Sequence, residues 1–411
     1  MVLVNSGIDV GEDGCVDSCT FWPVAVKKVV NPECLRSKTM GIALSRSDKC
    51  RNVSSTGLRS SVPGENSASC SEMNGIIKPS RNTIIQGTGT NNEEEQLLPA
   101  LPEKSDIERG YVTPQQVYNL LNAEAGEPAL HDPYYILILD CRSADRYKQS
   151  HLVTARASVT VIHPDLGCLI SCVQLQEFSI ILLYAEEGHS PVGGQETCVD
   201  NPTLQHCFFQ LSTLGMDPVI LLGGYSAFHT LYPFLCTPRM VLLESERRLL
   251  TIYPSEILEG ALYQGSASQA QDYRIIKNLH ITHVVNATAE ISDAFPNVLR
   301  YLRLRLSDDA QQDLRQALPE ASHFIAAALR GSPGSPGGRV LVHCSMGRSR
   351  SSVLTLGFLM EQRRWSLLHA FRWLKERRTC AAPNAGFLRQ LSDYEEQLFG
   401  RRLTLLDDIR L

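Results

Sequence analysis

The sequence predicts an α/β protein: two consecutive α/β domains behind a disordered N-terminal third. Three observations carry this expectation. Residues 1 to about 106 are rich in Ser, Asn, Gly and Thr and hold neither a helical nor a strand period, so they lack the apolar surface that ordering requires. Short apolar runs closed by a polar residue or glycine then recur with helical segments between them, the pattern of a mostly parallel sheet. The last such run enters a glycine-centred loop that carries a cysteine and an arginine, His343-Cys344-Ser345-Met346-Gly347-Arg348-Ser349-Arg350-Ser351.

Order begins near Tyr111. Thr113 is a good N-cap, Pro114 suits the first helical position, and a helix is expected from there. Buried strands follow at Ile136–Asp140, Ser179–Tyr184 and Val219–Leu222, the last closed by Gly223-Gly224. This first domain, residues 107–238, ends near Cys236-Thr237-Pro238. The second, residues 253–400, opens at about Tyr253. Its strands are expected at Ala261–Gly265, Thr282–Ala287 and Tyr301–Leu306. A flexible loop at Gly331–Gly338 then delivers the chain to the strand Arg339–His343. Val353–Glu361 is apolar enough for a buried helix. Ser366 can cap another, with Leu367, Leu368, Phe371 and Leu374 on one face.

Composition narrows the function classes. Hydrophobic residues at 43% and charged residues at 20% are those of a globular protein. A net charge of -5 argues against general binding of nucleic acid or anionic membranes. Thirteen cysteines, an odd number with no CxxC pair, suit free thiols in a reducing compartment. A cytoplasmic or nuclear location is expected. Met1–Val10 has no basic start followed by an apolar run, and Asp9, Glu12, Asp13 and Asp17 speak against a transit peptide. No cofactor and no metal are implied.

The chemistry sits at Cys344. A loop between a strand and a helix N-terminus turns successive backbone N–H groups into one hollow, where the helix dipole adds positive potential. A phosphate dianion fits there. Gly347 allows the backbone to curl, and Arg350 can fork onto two phosphate oxygens. The same field favours a Cys344 thiolate able to attack phosphorus and form a thiophosphate. Ser345, Met346, Gly347, Arg348 and Ser349 supply the loop, Ser351 is placed to hydrogen-bond the sulfur as it departs, and His343 orders the loop. The leaving oxygen needs a proton, and Asp308 or Asp309, directly after the strand Tyr301–Leu306, is the candidate acid. Cys168, Cys172, Cys207 and Cys236 are read as core residues, the usual fate of free cysteine.

These residues resemble a family. Leu262-Tyr263-Gln264-Gly265-Ser266, His283-Val284-Val285-Asn286-Ala287-Thr288, the Cys344 loop, Arg378 and Pro383-Asn384-Ala385-Gly386-Phe387 are similar to the dual-specificity protein phosphatases. The resemblance implies a shallow site admitting phosphoserine, phosphothreonine and phosphotyrosine, and it favours Asp308 over Asp309 as the acid. Residues 107–238 resemble a rhodanese-like domain through Leu139-Asp140-Cys141-Arg142-Ser143 and Leu222-Gly223-Gly224-Tyr225. An active rhodanese has cysteine where Ala185 stands here, before Glu186, Glu187 and Gly188, and Ser190 replaces an expected arginine, so no sulfur transfer is implied. Cys141 is read as structural.

The two-domain arrangement is that of the MAP-kinase phosphatases and of the serine/threonine/tyrosine-interacting-like pseudophosphatases. The resemblance implies phosphoprotein partners, among them MAP kinases or other signalling proteins met through the first domain, where the basic residues Arg142, Arg146, Lys148 and Arg156 are dispersed. The intact Cys344 points to an enzyme. The alternative is a pseudophosphatase-like regulatory adaptor that binds phosphorylated partners or other phosphatases with little turnover. The loop has no lysine to hold a highly charged head group, which ranks phosphoinositides and RNA 5′-triphosphates last.

Overall fold

The computed structural model describes residues 110–124, 130–187, 201–241, 243–331 and 337–409. The expected disorder of residues 1–106, most of the Gly331–Gly338 loop, and Gly188 and Ser190 lie outside the described residues.

The N-terminal α/β region begins at a reciprocal cap. Thr113 Oγ1 accepts from the Gln116 N–H, the Gln116 side chain accepts from the Thr113 N–H, and Pro114 occupies the first turn. Its main elements are β1 (Tyr111–Val112), α1 (Pro114–Leu121), β2 (Ile136–Asp140), α2 (Ala144–Gln149), β3 (Arg156–Ala157), α3 (Cys172–Glu177), β4 (Ile180–Tyr184), α4 (Pro202–Thr213), β5 (Val219–Leu221) and α5 (Gly224–Leu231). The strands form a parallel sheet in the order β1-β5-β4-β2-β3. On β2, Ile136 and Ile138 enter one apolar cluster while Leu137 and Leu139 enter another. A strand covered on both faces therefore reads as an unbroken apolar run.

The C-terminal α/β region contains β6 (Ser255–Leu258), β7 (Leu262–Ser266), α6 (Ala267–Gln271), α7 (Tyr273–Asn278), β8 (His283–Asn286), β9 (Arg300–Arg303), α8 (Ala317–Arg330), β10 (Val340–Cys344), α9 (Arg350–Arg363), α10 (Leu367–Arg377) and α11 (Ala385–Phe399). Strand order is β6-β7-β10-β8-β9, with β6 antiparallel and the rest parallel. The strand leading to Cys344 is therefore central. Its register pairs Cys344 with Ser266 and His343 with Asn286. Val340, Val342 and Cys344 face the cluster built on α8, α9 and α11, whereas Leu341 faces the opposite cluster.

That opposite cluster is shared by both regions. Tyr118, Leu121, Phe228 and Tyr232 of the first pack with Tyr253, Tyr263, Ile275 and Leu341 of the second. Helix α1 docks along the edge strand β6. Tyr118 Oη donates to the Pro254 carbonyl (2.9 Å), and Asn119 bonds both backbone groups of Glu256 (3.0 and 2.8 Å). Asn122 Oδ1 accepts from the Tyr253 N–H (2.8 Å). The Asn119 amide thus acts as the missing neighbour of an edge strand. Beneath it, the buried Glu256 carboxylate accepts from the Tyr232 and Tyr263 hydroxyls and the Gly260 N–H. Burial pushes its pKa up.

Several expectations shift. The strand expected at Tyr301–Leu306 runs Arg300–Arg303, and Leu304 and Leu306 are buried beyond it. The loop strand runs Val340–Cys344, so the cysteine itself closes it. The helix after the loop begins at Arg350, three residues earlier than Val353. Of the cysteines read as core, Cys207 is buried, Cys168 and Cys236 are half-buried against the core clusters, and Cys172 is half-buried. Strand β6 and helix α8 were not anticipated. Ser255–Leu258 is short and carries a register shift between Glu256 and Leu258, and Gln316 at the start of α8 makes no side-chain cap, so no start signal stands there.

Candidate active site

Cys344 ends the central strand, and the chain must then turn sharply to enter α9. Gly347 makes that turn at φ +68°, a backbone conformation that disfavours side chains. A Cβ there would lie 2.5 Å from the Gly265 carbonyl oxygen and 2.4 Å from the Arg378 guanidinium, so glycine is required twice over. The result is a tight loop over a buried thiol. Cys344 Sγ accepts the Gly347 N–H at 3.2 Å and lies 3.4 Å from Ser351 Oγ, which is itself fully buried.

Buried donors hold the loop from behind. The Gly347 carbonyl accepts from Arg378 Nε (2.6 Å) and Gln264 Nε2 (3.1 Å), and the Met346 carbonyl accepts from Arg378 Nη2 (3.3 Å). Because C=O and N–H of a trans peptide point oppositely, carbonyls fixed outward aim the next N–H groups inward. Ser349 caps α9 without bonding its own first turn, since its hydroxyl is turned to Asp308, and the first-turn N–H groups are left facing the loop.

Arg350 is buried and lies across the hollow. Its Nη1 contacts the Leu306 carbonyl and both oxygens of Glu290 (2.9 and 3.2 Å), Nη2 donates to Ser345 Oγ (2.7 Å), and Nε is buried with no protein acceptor. Glu290 also accepts from Ser345 Oγ (2.6 Å). That hydroxyl and the Arg350 guanidinium hold the Glu290 carboxyl down to about 2. Glu290 had no signal in the sequence: it is exposed, and its loop is shaped by the buried Asn286, which bonds Ile291 O and Asp293 Oδ1.

The two aspartates separate cleanly. Asp308 Oδ1 accepts from Ser349 Oγ (2.6 Å) and Asn384 Nδ2 (3.0 Å) and so faces the loop. Asp309 Oδ1 accepts from the Gln311 N–H and caps its own turn. The Asp308 segment is clamped by the start of α11, where a Cβ on Gly386 would fall 2.2 Å from the Ala310 carbonyl oxygen. Asn384 caps that helix through the Phe387 N–H while its Nδ2 reaches Asp308.

The remaining loop residues take distinct places. Met346 is exposed at the rim. Arg348 is also exposed, and its Nε is anchored on the Cys380 carbonyl (3.2 Å). The His343 ring is buried with its Nδ1 unpartnered, and burial pushes its pKa down to about 4. The ring is therefore neutral near pH 7. In the N-terminal region, Arg142 is consumed by Asp140 (2.8 Å) and Glu186 (3.2 Å) and stacks on Tyr225. Glu186 thus shares the Arg142 charge with the buried Asp140.

This arrangement can bind a tetrahedral dianion over a thiol and deliver a proton beside it. The family described as Dual specificity phosphatase, catalytic domain, matches residues 262–397. The chain is 34% identical over 201 residues to a probable rhodanese domain-containing dual specificity protein phosphatase of Dictyostelium discoideum, covering 48% of this chain and 41% of that protein. It is 33% identical over 210 residues to dual specificity protein phosphatase 5 of Rattus norvegicus, covering 46% of this chain and 53% of the relative. Both alignments thus span about half or less of those curated relatives. Over 142 residues it is 34% identical to dual specificity protein phosphatase 1 of Arabidopsis thaliana, covering 34% of this chain and 69% of that one. With the matched segment running from β7 into the last turn of α11 and enclosing the whole Cys344 loop, the chain belongs to the dual specificity phosphatase family.

Proposed function

We propose that the protein hydrolyses phosphotyrosine and phosphoserine or phosphothreonine in phosphoproteins through a Cys344 thiophosphate. One observation carries the reading: a buried thiol receives a loop N–H at 3.2 Å while Arg350 and Asp308 converge on the same loop. Arg350 and the inward N–H groups hold the phosphate oxygens. The Cys344 thiolate attacks phosphorus, the bond to the ester oxygen breaks, and Asp308 gives that oxygen its proton. Asp308, now a carboxylate, takes a proton from water as the water oxygen attacks phosphorus. Inorganic phosphate leaves, and Ser351 Oγ hydrogen-bonds the departing sulfur. His343 supports the loop as a neutral ring.

A second reading, a regulatory adaptor with little turnover, is favoured by Glu290, which competes with a substrate phosphate for the loop. Its carboxylate lies on the Arg350 edge and Ser345 hydroxyl that a substrate phosphate would use. The N-terminal region fits a rhodanese-like domain without sulfur-transfer chemistry, since Ala185 follows β4 where a nucleophile would be needed. Partners such as MAP kinases or other signalling proteins would meet Arg146, Lys148 and Arg156 there, because Arg142 is already paired. The free thiols support a reducing compartment, cytoplasmic or nuclear.

The test is hydrolysis of a small aryl phosphate by the full chain beside Cys344→Ser. Vanadate-sensitive turnover lost in the variant supports the enzyme. Equal residual rates in the two proteins, with tungstate still bound, would leave the adaptor reading in its place.

A further inference from the structure

The support behind the phosphate loop reaches into the other α/β region. Arg378, 2% exposed, holds the Met346 and Gly347 carbonyls and donates its Nη1 to Ser255 Oγ (3.1 Å). Its remaining Nη2 contact is an ion pair with Glu124 Oε2 at 2.8 Å, and Glu124 lies 254 residues away in the chain. Glu124 follows helix α1, whose Tyr118, Asn119 and Asn122 are pinned to β6 and to the two residues before it, so the position of its carboxylate is set by docking of the N-terminal region. Its Oε1 is buried with no partner, and its side chain is 18% exposed.

We propose that Glu124 is a positioning residue of the phosphate loop, acting through Arg378, and that the N-terminal region thereby completes the catalytic region in cis. The physical chain is short. A buried guanidinium needs a counter-charge to stay in one orientation. Arg378 oriented by Glu124 and Ser255 fixes two loop carbonyls outward, and the peptide planes then turn the Gly347 and Arg348 N–H groups toward the anion site. The Gly347 N–H already points at Cys344 Sγ. Removing the Glu124 charge frees Arg378 to follow other acceptors, and the inward N–H groups lose their fixed aim. Because coupling between sites is reciprocal, an anion in the loop should in turn tighten the docking of α1 on β6.

This inference rests on the phosphatase reading only for its kinetic arm. The experiment uses the full chain, Glu124→Gln and Glu124→Ala, with the exposed Glu177→Gln as a surface control. Three quantities are measured: affinity for tungstate by calorimetry, the rate of Cys344 alkylation by iodoacetate, and kcat and KM for an aryl phosphate. We expect Glu124→Gln to weaken tungstate binding and slow alkylation by about five- to tenfold while a cooperative melting transition is retained. Glu177→Gln should match the wild type. Tungstate affinity in Glu124→Gln within about twofold of wild type would overturn the proposal. So would loss of cooperative folding in both Glu124 variants, which would make the residue structural. If the wild type binds tungstate but turns over no substrate, the phosphatase reading fails, and the tungstate and alkylation arms still decide the role of Glu124. If it binds no tungstate, both fall.

Discussion

Asp308 Oδ1 accepts hydrogen bonds from Ser349 and Asn384, whereas Asp309 Oδ1 accepts one from the Gln311 N–H and shapes its own turn. Adjacent carboxylates therefore differ in what they can reach. A general acid contributes on the order of 100-fold or more, and most to esters whose leaving oxygen is basic. Asp308→Asn should lower kcat about 100-fold for an alkyl phosphate and less for an activated aryl phosphate. Asp309→Asn, whose side-chain carbonyl can still cap the turn, should stay within about threefold of wild type. Steady-state kinetics on the two ester classes checks this, and an equal loss at both positions would withdraw the assignment. The residues alone left this pair open, and only the family resemblance favoured Asp308. Two aspartates after a strand look alike until the loop from Ser349 and the cap of α11 arrive from far along the chain.

Among elements, β10 combines structure with pH sensitivity. His343 sits between Val342 and Cys344 on a strand paired on both sides, and its ring is buried with Nδ1 unpartnered. Burial lowers its pKa from 6.5 to about 4, so the unfolded chain binds a proton that the folded chain refuses between those values. The stability held by the neutral ring is complete above pH 6.5 and drains as pH falls through about 4. Its size is on the order of 3 kcal/mol. Urea midpoints measured at pH 7 and pH 4.5 should fall more steeply in wild type than in His343→Asn. Parallel slopes would remove His343 as the cause. The strand itself was readable because both of its faces are covered, which leaves five consecutive buried residues, Val340 to Cys344. The antiparallel β6 was not, since an edge strand tied down by the Asn119 side chain needs no apolar period of its own.

For the whole molecule, the shared apolar cluster makes the two α/β regions dependent on each other. Tyr118, Leu121, Phe228 and Tyr232 cover Tyr253, Tyr263 and Leu341, and the buried Glu256 bonds tyrosine hydroxyls from both sides. Separating the regions would expose aromatic surface and leave these polar groups to find water. Calorimetry of the full chain should therefore show one cooperative transition for both regions, and a chain beginning at residue 240 should melt at lower temperature. Two well-separated transitions, the second unchanged by the truncation, would contradict the shared core.

The local chemistry is legible along the chain: which strand is buried on both faces, where the loop turns at Gly347, and that Cys344 and Arg350 flank it. Those features are encoded over a few residues by period, by glycine and by the order of side chains, so they survive being read in one dimension. Which aspartate meets Ser349, that Glu290 rests on Arg350, and that Glu124 stands behind Arg378 are set by packing in three dimensions. Each of these pairs joins residues 41 to 254 positions apart. A lone exposed glutamate carries no periodicity, and its partner is named only when packed elements bring the two charges within reach.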